Sequence, residues 1–270
     1  MPELPEVETT MRGIAPLIEG EVLSRVEVRR PDLRWPVPAD FRQRLQGACV
    51  TGTGRRAKYG LIHTDRGDTV ILHLGMSGRL RLDPQDAAAH DHVIFETARG
   101  TVALNDPRRF GSLHIVPTEA LDSHPLIAAC GPEPLGPAFG ADHLRAVTRG
   151  STSPIKTLLL DGRRVAGLGN IYVCEALFEA GVRPTRRGTR LTRADIERLA
   201  TAIPHVLQRA IAAGGSTLRD YAQPSGDLGY FQHDFHVYGR EGRPCRRCGT
   251  VIGRIVQSGR SSFYCPSCQR

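Results

Sequence analysis

A proline followed at once by an acid opens this chain, in MPELPEVET, with Glu6 and Glu8 close behind Pro2 and Glu3. A helix start would explain this pattern. Proline is tolerated in the first helical turn, where its missing N–H has no partner to lose, and glutamates suit the positive end of the helix dipole. A second explanation is chemical. Small second residues such as Pro let an initiator methionine be trimmed, and removal of Met1 would leave Pro2 as a free secondary amine, a nucleophile. Nothing within the nine residues decides between the two.

Two further sets of residues carry chemistry. Of the 36 Lys+Arg, only Lys58 and Lys156 are lysine. A chain that uses arginine wherever a generic positive charge will do keeps lysine where a compact, deprotonatable ammonium is needed. Near the C-terminus, Cys245, Cys248, Cys265 and Cys268 form C-x2-C-x16-C-x2-C. Four thiolates in two close pairs, each on its own tight turn, can close a tetrahedron around one structural zinc ion, leaving no open position for catalysis. Cys49, Cys130 and Cys174 are scattered and read as small core residues.

These residues need elements to hold them. A first helix is expected from about Glu3 to Glu19, closed by Gly20. Short alternating apolar runs follow, among them EVLSRVEVRR, AKYGLIHT, TVILHLG, HVIFET, TVAL and SLHIVP. Separated by turn signals such as TDRGD and ARG, they predict an antiparallel sandwich or barrel. GPEPLGPAFG, residues 131–140, reads as an interdomain linker. The period then becomes helical. SPIKTLLLD has Ser153 as its N-cap and Pro154 at the first helical position. NIYVCEALFEAG stops at Gly181. LTRADIERLATAIPHVLQRAIAAGG is opened by Thr192 and Asp195 and interrupted by Pro204, which should kink or split it. A polar, Gly-bearing loop, QPSGDLGYFQ, precedes the cysteine block, where TVIGRIVQ and SSFYC read as a hairpin.

The formal net charge is +8 and the pI about 9.4, which points to a polyanionic partner. From Tyr238 to Arg270 there are seven arginines and one glutamate. A small zinc module this basic reads as a nucleic-acid contact, with Arg260 of GRSS as the side chain expected to project. No basic-then-apolar start and no bilayer-length apolar run is present, so neither export nor membrane insertion is expected.

Read together, MPELPEVET, RRAKYG, HLGMSGRL, DPRRFG, GLGNIY and the four-cysteine tail resemble, in the same order, bacterial formamidopyrimidine-DNA glycosylases, over almost the whole chain. The resemblance implies an α+β protein. An N-terminal helix and antiparallel β-sandwich (1–130) and the linker (131–140) lead to a helix–two-turn–helix domain (141–235) and a β-hairpin zinc finger (236–270). It implies a bifunctional glycosylase and abasic-site lyase of base excision repair. Such an enzyme acts on double-stranded DNA bearing oxidised purines or abasic sites, in the cytoplasm of a bacterium and as a monomer.

It also implies roles for individual residues. Pro2 is the nucleophile and Glu3 the acid/base, so the amine and its proton carrier are neighbours at a free terminus. An α-amino group titrates near ~7.7–8.0, against ~10.4 for lysine, so a terminal amine starts with more free base. Lys58 contacts the phosphodiester beside the lesion and, with Arg260, donates protons during β,δ-elimination. Lys156, Asn170, Arg260, Tyr238, His92 and Arg109 are DNA contacts. Met76, Arg108 and Phe110 fill the gap left when the damaged base leaves the stack. Residues Ser225–Gln232 supply amides that close over the everted base, and Glu6 and Glu175 support the pocket. The related endonuclease VIII type usually begins PEGPE, unlike this chain. A DNA-binding zinc protein without catalysis would be expected to lack Pro2, Glu3 or Lys58.

Overall fold

The computed structural model describes residues 1–84, 88–217 and 221–270. The chain divides into two compact units, Met1–Ala128 with Ile211–Tyr230, and Ala129–Ala210 with Phe231–Arg270.

In the first unit, α1 (Leu4–Ile18) is amphipathic. Its apolar residues Val7, Met11, Ile14 and Ile18 are buried with the core. After β1 (Arg25–Val28) and the short α2 (Phe41–Leu45) come β2 (Val50–Arg56), β3 (Tyr59–Thr64), β4 (Asp68–His73), β5 (Arg79–Leu82), β6 (Asp91–Thr97), β7 (Gly100–Asn105) and β8 (Ser112–Pro117). They make two antiparallel sheets, ordered β1-β6-β7-β5 and β2-β3-β4-β8. Inward residues of both sheets, such as Val26, Phe95, Val102 and Leu104 from one and Ile62, Val70, Leu72 and Leu113 from the other, form one apolar cluster with α1. This is the expected sandwich, a hydrophobic face of each sheet buried against the other. A short helix, α3 (Pro125–Ala128), ends the segment, with Ile127 packed against Leu61 and Ile71.

Residues 211–230, expected within the helical domain, belong to this first unit. Hydrogen bonds and close packing hold them there. Ser216 N–H donates to Glu6 Oε1 at 2.8 Å, and Leu82 N–H donates to Pro224 O at 3.1 Å. Gly13 lies so close to the Pro224 ring that a Cβ there would sit 2.9 Å from its Cγ.

The second unit contains α4 (Ala141–Thr148), α5 (Ile155–Leu160), α6 (Asn170–Glu179), most of α7 (Arg193–Ala212) and the hairpin β9 (Gly253–Gln257) and β10 (Arg260–Tyr264). Helix α5 begins one residue later than expected because Pro154 bridges to Arg187 and Ile155 N–H donates to Arg186 O. Pro204 does not split α7, which runs unbroken for 20 residues. Its start is the reciprocal Thr192–Asp195 box, Thr192 N–H to Asp195 Oδ2 at 2.8 Å and Asp195 N–H to Thr192 Oγ1 at 3.2 Å. Residues 131–140 are fastened at their start to this unit, Gly131 N–H donating to Gly162 O and Pro132 O accepting from Ala166 N–H.

Candidate active site and nucleic-acid interface

In the first unit, Pro2 is buried and lies outside α1, whose N-cap is Glu3. The helix's own first-turn proline is Pro5, so helix geometry gives no reason for Pro2. Glu3, 3% exposed, donates its backbone N–H to Glu6 Oε2 at 2.8 Å. The Glu6 carboxylate thus ties the residue next to Pro2 to Ser216. Tyr221 closes the same region, its hydroxyl 3.4 Å from both Glu6 O and Gly214 O. Burial, and next the Glu6 charge, hold its phenol well above the usual tyrosine range.

Lys58 is half-buried in the tight turn between β2 and β3, beside Ala57 at φ 53°. One arginine fixes this turn against α1. Arg55 Nε donates to Glu8 Oε2 at 2.9 Å, and its guanidinium also donates to Ala57 O at 3.0 Å. Below it, α1 sits directly on β3, since a Cβ at Gly60 would lie 2.4 Å from Met11 Sδ. His73, at the end of β4, packs its ring 5.2 Å from that of Tyr59, and its Nδ1 accepts the Gly75 N–H at 3.1 Å. Its pKa is pushed down to about 4, by burial above all and then by Lys58, Arg34 and His114. The imidazole beside Lys58 is therefore neutral at physiological pH.

Two adjacent loops carry the expected gap-filling residues. Met76 and Phe110 are exposed large apolar side chains, 40% and 43%, and the Arg108 guanidinium lies 4.8 Å over the Phe110 ring. Exposed apolar area beside a cation is what an intercalating wedge requires. Arg109, at φ 56°, instead reaches Asp32, 2.5 Å from Oδ2. His92, expected as a DNA contact, is 4% exposed and its Nε2 is 2.8 Å from Asp106 O, so it braces the β7–β8 connection from inside. The outward imidazole of the HDH stretch is that of His90.

The second unit is built around the cysteines. The four Sγ atoms of Cys245, Cys248, Cys265 and Cys268 lie within 4.8 Å of one another. A tetrahedral Zn–S bond of about 2.3 Å requires S···S separations near 3.8 Å, so the set fits one structural zinc ion. Backbone N–H groups of Arg247 and Cys268 point at Cys245 Sγ and Cys265 Sγ, each at 3.4 Å, as expected for thiolate acceptors. Ser258 and Gly259, at φ 49° and 73°, make the tight turn that β9 and β10 need and leave Arg260 exposed at its exit.

Lys156 was expected to grip a phosphate. It is fully buried, and its Nζ donates to Ser261 O at 2.8 Å and Ser262 Oγ at 2.7 Å. Asn170, the first residue of α6, donates from Nδ2 to the same Ser261 carbonyl at 3.0 Å, and the N-cap of α6 is Gly169. Both side chains therefore hold the strand residue that follows Arg260. Glu175, also buried, accepts the N–H groups of His236, Val237 and Tyr238 at 2.9, 3.0 and 2.8 Å. Tyr238 is thereby fixed edge-on between Phe235 and Phe263. Arg55, His73 and Tyr221 had no role in the sequence reading, although Arg55 lies in RRAKYG and His73 in HLGMSG.

A helix-capped sandwich is thus followed by a basic helical unit that ends in a four-thiolate hairpin fit for one metal ion. Residues 1–113 match the Formamidopyrimidine-DNA glycosylase N-terminal domain, residues 130–222 its H2TH domain, and residues 242–270 the zinc finger found in FPG and IleRS. A relative named formamidopyrimidine-DNA glycosylase from Rhizorhabdus wittichii is 59% identical, with all of both chains covered; one from Novosphingobium aromaticivorans is 58% identical, again with full coverage. The crystal structure of the MutM (FPG) protein of Thermus thermophilus superposes with a TM-score of 0.89 at 41% identity, covering 99% of this chain and 98% of that one. Lactococcus lactis Fpg in complex with abasic-site DNA gives 0.91 at 36% identity, with both chains fully covered. The chain belongs to the formamidopyrimidine-DNA glycosylase family.

Proposed function

We propose that this protein is a bifunctional DNA glycosylase and abasic-site lyase of base excision repair, with Pro2 as its nucleophile and oxidised purines, 8-oxoguanine and formamidopyrimidines, as its substrates. The observation that carries the reading is the buried Pro2 set immediately before the N-cap of α1, where the helix itself has no use for it. The family relationship supports the reaction class. Structures of Lactococcus lactis Fpg, similar throughout, include a mutant in complex with Fapy-dG DNA and the protein in complex with abasic-site DNA.

Removal of Met1 frees the Pro2 amine, which attacks C1′ of the damaged nucleotide and expels the base. The amine remains on the sugar as an iminium, which makes the C2′ proton acidic. Glu3 protonates the opening deoxyribose ring and carries protons afterwards. Loss of the C2′ proton expels the 3′ phosphate. A second elimination expels the 5′ phosphate, leaving a one-nucleotide gap flanked by phosphates. Lys58 and Arg260 act as proton donors in these steps. Met76, Arg108 and Phe110 occupy the vacated place in the stack, and residues 225–232 close over the everted base. Zinc holds the hairpin and takes no part in the bond changes. No helix among the described residues is long and apolar enough to cross a membrane, and a bacterial repair enzyme works in the cytoplasm.

Borohydride trapping on a duplex with one 8-oxoguanine opposite cytosine tests this. A covalent adduct mapping to residue 2, absent in a variant whose Met1 cannot be trimmed, is expected. An adduct on thymine glycol but not on oxidised purine would overturn the substrate assignment, and an adduct that survives Met1 retention would overturn the nucleophile.

A further inference from the structure

The three expected wedge residues come from two separate loops, Met76 from the β4–β5 connection and Arg108 with Phe110 from the β7–β8 connection. One buried carboxylate joins them. Asp106, 0% exposed, accepts the Ser77 hydroxyl on Oδ1 at 2.7 Å and the Gly111 N–H on Oδ2 at 2.7 Å. Ser77 directly follows Met76, and Gly111 directly follows Phe110. The Ser77 oxygen in turn accepts the Arg108 N–H at 3.3 Å, so the bridge returns to the wedge loop.

The surrounding backbone is equally committed. Asp106 N–H donates to His90 O, and Asp106 O accepts from Arg109 N–H and the His92 ring. Gly111 O accepts from Arg34 N–H at 3.0 Å. Gly75, at φ 63°, lets the two loops touch main chain to main chain, since a Cβ there would lie 2.3 Å from the Phe110 carbonyl carbon.

We propose that Asp106, acting through Ser77, is a positioning pair that makes Met76, Arg108 and Phe110 enter DNA as a single rigid wedge. The inference rests on the reading of those three as the gap-filling residues. Their side chains are exposed, so the loops beneath them set where they point. Two loops that moved independently would have to be ordered separately at each base eversion, at the entropic cost of fixing each flexible side chain or segment. A charge-assisted, buried hydrogen-bond bridge removes that cost in advance.

The test compares two rates from the same preparation, so that any misfolded fraction cancels. One is single-turnover base release from duplex 8-oxoguanine opposite cytosine, which requires the gap to be filled. The other is strand cleavage of a single-stranded abasic oligonucleotide, which has no orphaned base. Ser77→Ala and Asp106→Asn are each expected to lower the ratio of the first rate to the second at least tenfold, the direction expected for Phe110→Ala. A ratio unchanged in both bridge variants while Phe110→Ala lowers it would overturn the bridge and leave the wedge standing. A ratio unchanged in Phe110→Ala as well would remove the wedge and the bridge with it.

Discussion

Glu175 Oε1 accepts the backbone N–H of Tyr238 at 2.8 Å, from inside the second unit. The same carboxylate takes the N–H groups of His236 and Val237, so one side chain organises three successive amides. Glu175→Ala would leave these donors unsatisfied in a buried place, at a cost of about 3 kcal/mol or more. Glu175→Gln keeps one carbonyl oxygen and is expected to lose less than half as much. Urea unfolding of the two variants checks the ranking; equal stability of Glu175→Ala and the parent would refute it.

Lys156 and Arg260 are both basic residues of the second unit, yet they should respond differently to salt. Arg260 is exposed, whereas the Lys156 ammonium is spent on Ser261 and Ser262. Each phosphate neutralised adds roughly one to the slope of log K against log salt. Arg260→Ala should reduce that slope by about one. Lys156→Met should weaken binding about fivefold or more, as expected for two lost hydrogen bonds of about 0.5–1.5 kcal/mol each, with the slope unchanged. Fluorescence anisotropy with an abasic-analogue duplex from 50 to 300 mM salt reads both, and a slope reduced by Lys156→Met would return that lysine to the phosphate backbone.

Zinc removal should act locally. Cys245 and Cys265 belong to a small apolar cluster with Cys174, Phe178, Val237 and Ile252, so without the metal the hairpin loses both its cross-link and its packing. Chelation is expected to release one zinc per chain, to abolish amide protection in β9 and β10, and to lower duplex affinity at least tenfold. Protection in the first unit's sheets should persist. Loss of protection throughout the chain would contradict this.

Acid should weaken the first unit through His73. Its pKa is about 4 in the folded chain, lowered by burial and then by Lys58, against 6.5 ordinarily. Above pH 6.5 the ring is neutral folded or unfolded, so it contributes nothing to pH dependence. As pH falls from 6.5 toward 4, the unfolded chain takes up a proton that the folded chain refuses, and stability falls by up to about 3 kcal/mol. His73→Gln should flatten part of the difference in urea midpoint between pH 7 and pH 5. An identical difference in both proteins would clear His73 of the effect.

Much of this was legible in the chain itself. The first helix was expected from Glu3 to Glu19 and runs from Leu4 to Ile18, because its apolar spacing and closing Gly20 are local signals. The hairpin of the zinc module follows equally local rules, two alternating runs around a turn. Segment 211–230 continues from α7, and the H2TH match runs on to residue 222. It lies in the first unit because Glu6 and Leu82 supply its hydrogen-bond partners, and no local pattern announces partners so far away.

The residue types, their order and the spacing of the cysteines were sufficient to determine the family, the zinc site and the identity of the residues proposed for chemistry. Which way a side chain faces was not determined there. The resemblance implies DNA contacts for His92 and Lys156, and each is buried. Burial is decided by whatever distant segment arrives to cover a residue. For Lys156 that segment is β10, whose Ser261 lies 105 residues along the chain. A buried ammonium needs oxygen acceptors at close range, and only the folded chain brings them there.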